Sequence, residues 1–262
     1  MRAIRGMLPT GMALALAIAG STALAAGNLL LLDPPPERDT FALGGSVWNL
    51  PTYPGSRQRD TYVLPAIDWY AHTGLFVSTD NGVGWNLSTS KDWQAGVRLW
   101  PQFGRSRKDG PAGVSPIGWR VQPQAFANLM LGDVALLQSG VLYGAGRDRN
   151  GLQVELGITS GIPLGDSLIG VGLSTTWANA AYRDSYFGVS AADAKASGLP
   201  AFAAGSGMLD TALTLSVEHK FNAKWKISGQ LVLSRFSASV ARSPLVQEPR
   251  EQQGQLTLWY AF

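Results

Sequence analysis

Hydrophobic and polar residues alternate with a period of two along most of the chain, most clearly at its end. There Leu256, Leu258 and Tyr260 fall on one face, whereas Gln255 and Thr257 fall on the other. Such alternation is typical of a β-strand whose two faces meet different surroundings. The same pattern recurs at 93–99, 119–129, 152–159, 169–177, 211–221 and 225–233. The pattern therefore predicts an all-β fold.

Counting these segments along the chain predicts twelve strands, at 41–50, 61–70, 74–79, 82–89, 92–103, 118–131, 133–145, 150–162, 167–178, 209–221, 224–237 and 252–262. Most are near the roughly 9–11 residues that a tilted strand needs to cross a bilayer, whereas strands of soluble sandwiches commonly have about 5–6. Aromatic residues near segment ends, such as Trp93, Trp177 and Tyr260, are typical of the girdles of membrane barrels. We predict a transmembrane antiparallel up-and-down β-barrel. Its strand count could differ by two within 61–89, where Pro65 interrupts the pattern.

The predicted connections alternate between short and long. Tight turns fall at 71–73, 90–91, 132–133, 165–166 and 222–223, and long connections at 51–60, 104–117, 179–208 and 238–251. With the N-terminus in the periplasm, the long connections lie outside the cell, as in outer-membrane barrels. The hairpins at 80–81 and 146–149 are short although they fall on the external side. Pro101 and Pro123 lie within predicted strands, and each indicates a bulge or a strand end because proline has no N–H for the ladder.

The composition favours a membrane barrel over a soluble enzyme. Only 15% of the residues are charged, compared with roughly 25% in a typical soluble domain, and the 262 residues include nine Trp and 31 Gly. The chain has no Cys, which excludes a disulfide, a thiol nucleophile and a lipid anchor on cysteine. Stability is then expected to come from the closed, hydrogen-bonded barrel.

The first residues predict export. Arg2 and Arg5 precede a short apolar run at 12–19, and 23–25 is a small-x-small cleavage site, so residues 1–25 are interpreted as a cleaved secretory signal peptide. An uncleaved anchor is the alternative, although the run is shorter than the roughly 20 residues of a spanning helix. Residues 26–40 would form an N-terminal periplasmic segment and 41–262 the barrel. Removal of the two arginines lowers the formal charge, +3 for the whole chain, by two, so charge gives no reason to expect nucleic-acid binding.

Four stretches resemble motifs of the MipA/OmpV outer-membrane family, and together they span about 40–262. They are a first-loop motif at 51–56, a long-loop signature within 186–210, a last-loop motif at 243–246 and an aromatic C-terminal strand at 258–262. The long-loop signature is the most specific of the four. It includes Tyr186-Phe187-Gly188-Val189 and Ser197-Gly198-Leu199-Pro200.

The resemblance implies an outer-membrane location in a Gram-negative cell, with outer-membrane lipid and lipopolysaccharide as surroundings. It also implies a scaffolding role, in which a murein lytic transglycosylase is linked to a penicillin-binding protein. Other members of the family are described as adhesins or as porin-like proteins of the osmotic response. These roles are analogies at the level of the fold, so a narrow channel or a small-ligand-binding barrel remains the alternative.

The residues predict no enzyme, metal site or cofactor. A Ser-His-Asp or metal-histidine site would need one of the only two histidines, His72 and His219. His72 falls in a predicted tight turn, and His219 falls near a strand end on the apolar face, where an interfacial role is simpler. The pattern around neither histidine signals a catalytic partner.

The better functional candidates are charged residues on the polar face of the predicted strands. If they line the interior, they either form compensating ion pairs, which a narrow interior requires, or mark a polar path for a small solute. The first interpretation is favoured. The candidates are Arg98, Arg120, Glu155, Glu218, Lys220 and Lys226.

The longest connection, 179–208, carries more apolar residues than a solvated loop would. Ser190 and Gly198 are suited to cap a short helix between them. We predict that this connection packs over or into the barrel mouth rather than moving freely, through Tyr186, Phe187, Leu199, Pro200 and Phe202. A second connection, 104–113, is basic through residues such as Arg105 and Arg107. It is expected either to contact lipopolysaccharide phosphates or to be solvated.

Overall fold

Residues 35–132 and 134–262 are described by the computed structural model, and they contain twelve strands and three short helices. The strands are β1 (Thr40–Pro51), β2 (Arg59–Tyr70), β3 (Leu75–Ser78), β4 (Gly82–Asn86), β5 (Trp93–Gln102), β6 (Arg120–Leu131), β7 (Ala135–Ala145), β8 (Gly151–Leu164), β9 (Ser167–Ala178), β10 (Gly207–Lys220), β11 (Trp225–Phe236) and β12 (Arg250–Ala261). The helices are α1 (Ala180–Phe187), α2 (Ala191–Ser197) and α3 (Ala238–Ala241). The predicted signal peptide and most of the predicted N-terminal segment lie outside the described residues.

Each strand pairs in antiparallel fashion with its neighbour in the sequence, and β1 closes the barrel by pairing with β12. The closing register runs from Ala42 opposite Ala261 to Asn49 opposite Gly254. The predicted up-and-down barrel of twelve strands is therefore confirmed, with strand ends within three residues of those expected. Pro65 does not interrupt β2 as predicted, because β2 pairs with β1 along its whole length.

The two faces of the sheet differ as the alternation predicted. Outward-facing residues such as Val47, Val97 and Leu156 are about half exposed, whereas inward-facing Gln124 and Gln138 are buried. Apolar side chains that stand on the outer surface of a closed barrel are typical of contact with lipid. Among the described residues, no helix has the length and the apolar character needed to cross a membrane.

Short turns and long connections lie at opposite ends of the barrel. The turns at 71–74, 87–92, 165–166 and 221–224 share one end with Thr40 and Ala261, near the two ends of the described chain. The connections at 52–58, 103–119, 179–206 and 237–249 lie at the other end, together with the three helices. This asymmetry places the long connections on the external side.

The prolines within the strands lie where the ladder is interrupted. Pro123 of β6 is next to the bulge between Tyr143 and Ala145 of β7, where Gly144 has a positive φ of 102°. The pairing of β6 with β7 begins only at Gln124, so the missing N–H of Pro123 removes no ladder hydrogen bond.

The β3–β4 hairpin is much shorter than the strands beside it. β3 has four residues and β4 five, and β2 pairs with β3 only through Asp68, Trp69 and Tyr70. Two of the predicted strands therefore do not cross the whole apolar band, and the barrel wall is lower at this point than elsewhere.

Glycine at position 84 is required by close packing inside the barrel. A Cβ there would lie 2.5 Å from the Phe76 ring and 2.5 Å from the Val97 carbonyl oxygen, whereas a Cβ on outward-facing Gly45 would meet nothing within 4 Å. We expect Gly84→Val to lower the free energy of unfolding by about 1–3 kcal/mol through overpacking. Gly45→Val should leave it nearly unchanged. Denaturant unfolding of both variants in lipid vesicles measures the difference, and equal stabilities would contradict the packing argument.

Candidate functional site

The external end of the barrel is covered by a layer of folded connections, here called the external cap and formed by 103–119, 179–206 and 237–249. Its centre is aromatic: Tyr182 stacks on Tyr186 with ring centroids 4.6 Å apart, and Phe187 meets Phe236 at 5.2 Å. Val240 of α3 is fully buried in the same cluster. The cap therefore has a hydrophobic core of its own at the barrel mouth.

Asp193 of α2 joins three connections of the external end. Its carboxylate accepts hydrogen bonds from the N–H and the hydroxyl of Ser115, at 3.0 and 2.6 Å, and pairs with Arg147 at 3.1 Å. The N–H of Asp193 in turn donates to the hydroxyl of Ser190, which caps α2. Burial by itself would raise the pKa of Asp193, but the hydrogen bonds from Ser115 and Ser190 and the charge of Arg147 lower it well below its ordinary value. The aspartate is therefore held ionised.

Arg105 is buried, whereas the basic connection 104–113 was expected to be solvated or to contact lipopolysaccharide. Its guanidinium is buried and donates to the carbonyl oxygens of Tyr186 and Ser115, at 2.9 and 3.2 Å. Arg107 and Lys108 are exposed, as a solvated or lipopolysaccharide-facing loop requires. Arg105 is instead an internal tie of the cap, because buried carbonyl groups need donors and the long arginine side chain reaches two of them.

Further hydrogen bonds join the first and last long connections to the rest of the external end. The Ser243 hydroxyl donates to the Phe187 carbonyl, and Arg183 donates to the Ser239 hydroxyl at 2.7 Å. The Gly55 carbonyl accepts N–H groups from 247 and 248, which joins the first connection to the last. The external connections therefore form one interlocked layer.

The five residues predicted to pack at the mouth have different environments. Tyr186 and Phe187 are buried in the aromatic cluster, and Leu199 and Phe202 are partly buried against a second cluster. Pro200 is exposed, contrary to the expectation. The left-handed Gly198 ends α2 and turns the chain so that Leu199 packs inward while Pro200 remains on the surface. The expected caps of this helix, Ser190 and Gly198, are both observed.

The inward face of the barrel is lined by amide side chains, a feature that sequence reasoning missed. Nine glutamines on the polar face are buried, whereas the predicted candidates were only charged residues. The alternation on each strand could have identified them, had amides been considered beside charges. They are Gln94, Gln102, Gln122, Gln124, Gln138, Gln153, Gln230, Gln253 and Gln255.

Several of these inward polar groups have no partner within the described residues. Both amide atoms of Gln122 and of Gln253 lack a hydrogen bond. Buried polar groups are almost always satisfied by protein or by ordered water. The interior therefore has the chemistry of a hydrated lumen and not of a dry core.

Three of the predicted inward charged residues lie in the middle of the lumen and toward its external end. Arg98 is buried, donates to the Gln124 side chain and to the Asn81 carbonyl, and stacks on Trp100 at 4.5 Å. Glu155 is buried on β8. Arg120 is partly buried at the external end of β6, where it donates to the carbonyl of the preceding residue.

The other three form a group at the end of the barrel with short turns. Lys226 and Glu218 form an ion pair at 3.1 Å, which is the compensation that a narrow interior requires. Lys220 lies 3.9 Å from Glu218, but its side chain is largely exposed at the rim. The structure thus brings Glu218, Lys220 and Lys226 together, apart from the first three candidates.

Both histidines have polar partners, which sequence reasoning did not find. His72 lies 2.6 Å from Asp39, and its hydrogen bonds lower the pKa of that carboxyl. On the outer surface, Nδ1 of His219 lies 2.8 Å from the Ser167 hydroxyl, and the edge of its ring meets Phe221. Within 35–132 and 134–262, no acidic side chain contacts His219, and no group of three or more potential metal ligands exists.

The sequence profile of one family, described as MltA-interacting protein MipA, matches residues 43–262. The chain belongs to the MipA family. This membership and the lipid-facing outer surface establish an outer-membrane barrel protein, and the matched region of this MipA-family chain covers nearly the whole barrel. No curated protein matches the chain.

Several solved outer-membrane channels are similar to this MipA-family barrel. An outer membrane channel from Pseudomonas putida F1 is 14% identical with a TM-score of 0.46, over 88% of this chain and 100% of that one. The CymD monoaromatic hydrocarbon channel is 8% identical with a TM-score of 0.38, over 86% and 88%. The toluene transporter TodX of P. putida is 10% identical with a TM-score of 0.29, over 93% and 98%.

The central position of Asp193 gives a test of the cap. We expect Asp193→Asn to weaken the cap by about 1.5–3 kcal/mol, because charge-assisted hydrogen bonds are lost, and so to speed tryptic cleavage after Lys195 about 10- to 100-fold. Exposed Asp148, close by in the same external layer, provides the matched control Asp148→Asn, which should change nothing. Because the pKa of Asp193 is lowered on folding, its contribution is complete above about pH 4 and is lost as the pH falls further. Equal cleavage of both variants would contradict this role.

Proposed function

We propose that this MipA-family barrel is a narrow channel for small polar solutes, closed on the outside by the external cap. The observation that carries the proposal is the polar inner surface, where both side-chain amide atoms of Gln122 and of Gln253 are buried without a partner within the described residues. A barrel with a purely structural role could be filled by apolar side chains, whereas this one has a polar interior at the position of a permeation path. The favoured sequence interpretation, ion pairs that fill the lumen, accounts for the pair of Glu218 with Lys226 but not for the buried amides of Gln122 and Gln253.

Carboxyl groups that ionise inside the lumen favour cations over anions. Lining residues of the described lumen include more carboxyl groups than cationic groups, the latter being Arg98, Arg120 and Lys226. Rings of carboxylates select cations in other channels. The carboxyl groups are those of Asp68, Asp80, Glu155, Asp210, Glu218 and Glu251.

Planar-bilayer recording tests the channel. We expect the mature chain to conduct weakly, and a variant with 180–205 replaced by a short Gly-Ser linker to conduct several-fold better and to prefer cations. Lys195→Gln, a change on the exposed face of α2, is the control and should behave like the parent chain. Absence of conductance in the linker variant, once its folding is shown by heat-modifiable electrophoretic mobility, would reject the channel.

A second candidate function follows from the family description, MltA-interacting protein. In this proposal the barrel anchors a murein lytic transglycosylase, and through it a penicillin-binding protein, at the periplasmic rim. Cleavage of the proposed signal peptide after Ala25 would deliver the chain to that location. The short turns at 71–74, 87–92, 165–166 and 221–224 are described surface available for such contacts.

Pull-down from envelope extracts tests the anchor. We expect the tagged barrel to enrich a murein transglycosylase relative to an unrelated outer-membrane barrel, and exchange of 221–224 for a Gly-Asn turn to reduce that enrichment. A matched exchange in the external connection, at 107–108, should have no effect because it lies on the opposite side of the membrane. Enrichment no greater than that of the unrelated barrel would exclude the anchor.

A further inference from the structure

The barrel wall is open on its external half between β2 and β5. β2 pairs with β3 only at 68–70, and β5 pairs with β4 only at 96–99. Above these points, 59–67 of β2 and 100–102 of β5 have no strand between them, although each remains fully paired on its other side. We call this opening, bounded by 59–67 and 100–102, the lateral gap.

The tip of the β3–β4 hairpin turns into the barrel and does not continue the wall. Thr79 extends the pairing with β2 by one residue. Its N–H donates to the Ile67 carbonyl oxygen, and its hydroxyl oxygen accepts from the Ile67 N–H, both at 2.8 Å. Asp80 then accepts from the Gln255 side chain on β12, and Asn81 donates to the Tyr70 hydroxyl at 2.8 Å. These inward contacts hold the hairpin tip at the floor of the gap.

Exposure of the side chains at the gap shows that the wall is interrupted there. Outward-facing Val63 is 77% exposed, whereas its partner on β1, Val47, is 44% exposed because strands flank it on both sides. Tyr62 lies on the inward face opposite Trp48, yet Tyr62 is 43% exposed and Trp48 only 6%. Inward-facing Leu64 is 36% exposed. Inward side chains of β2 are therefore reached from the side of the barrel.

Both edges of the gap carry a proline whose missing N–H faces the opening. Ile67 directs its N–H and carbonyl toward β3, so Pro65, two residues earlier, has the same orientation. On β5 the Ala95 carbonyl accepts from Leu87 on the β4 side, so Pro101, six residues later, also faces the gap. Proline on a free edge removes a donor that lipid could not satisfy and prevents another strand from pairing.

An apolar surface lies behind the gap, next to the buried amide of Gln102. Trp48 and Leu50 form a buried cluster with partly buried Phe103 packed on it, and Tyr62 and Leu64 continue this surface to the opening. The gap lies within the lipid-facing band, since Val63 outside it is apolar and so is Val121 next to Pro101. The hydrocarbon of the membrane and the apolar inner surface thus meet at the gap.

We propose that the lateral gap admits a single hydrocarbon chain of a membrane amphiphile, which lies against Tyr62, Leu64 and Phe103 inside the barrel. A partner strand is disfavoured by the two prolines, and water is disfavoured by the apolar inner surface and the lipid outside. The site is separate from the polar path through the lumen, so its test does not depend on conductance.

Photo-crosslinking in lipid vesicles tests the proposal. The full mature chain is incubated with a fatty acid that carries a diazirine at the end of its chain, and labelled residues are mapped by mass spectrometry. We expect label on inward-facing Leu64 and Phe103 as well as on outward-facing residues such as Val47, which contact bulk lipid and serve as the internal standard. Label on outward-facing residues alone would overturn the proposal.

Two variants of adjacent residues sharpen this test. Leu64→Gln should reduce the labelling of Phe103 about tenfold, because the leucine side chain contributes apolar contact that Gln lacks, and should leave the labelling of Val47 unchanged. Val63→Gln changes the same strand on its lipid side and should leave the labelling of Phe103 unchanged. If Phe103 were labelled only in a chain shortened to begin at residue 35, the N-terminal segment would be the occupant and the proposal would be wrong.

Discussion

Hydrogen bonding of backbone groups in a medium without water is the constraint on which this structure depends. A strand that faces lipid must pair on both sides, and the pairing of β1 with β12 meets this requirement by closing the sheet. The same constraint explains the lateral gap. Where the wall is incomplete, the edges carry Pro65 and Pro101. At the end of the ladder, the Thr79 hydroxyl accepts the Ile67 N–H, which a further strand residue would otherwise accept. The two prolines and Thr79 thus lower the number of unpaired backbone donors at this exception.

Buried polar groups are satisfied in different ways in the barrel interior and in the external cap. Inside the barrel, amides such as Gln122 and Gln253 are removed from bulk solvent without protein partners, which requires water in the lumen. In the cap, polar groups are paired within the protein: Asp193 joins Ser115 and Arg147, and Arg105 satisfies two carbonyl groups. A polar interior beneath an interlocked outer layer is why the polar path is proposed ahead of the anchor.

Much of the fold was predictable because lipid on one side and polar surroundings on the other impose alternation on each strand. All twelve strands, the separation of short and long connections onto opposite ends and the caps of α2 could be predicted from local pattern. The candidate site was predicted only in part. Arg98, Glu155 and Glu218 were identified because they stand on the polar face, but the glutamines on the same face were overlooked, although the same pattern contains them.

What the sequence alone determined is which residues form strands and which face of each strand meets lipid, since both depend on neighbours two residues apart. Only the tertiary structure decided which loop residues are buried and which strands fail to span the wall. Arg105 appeared to belong to a solvated loop, and its burial depends on Tyr186, which lies 81 positions away in the chain. The pair of Ser167 with His219 and the inward turn at Asp80 likewise depend on the register between strands, which is set by the closure of the whole barrel.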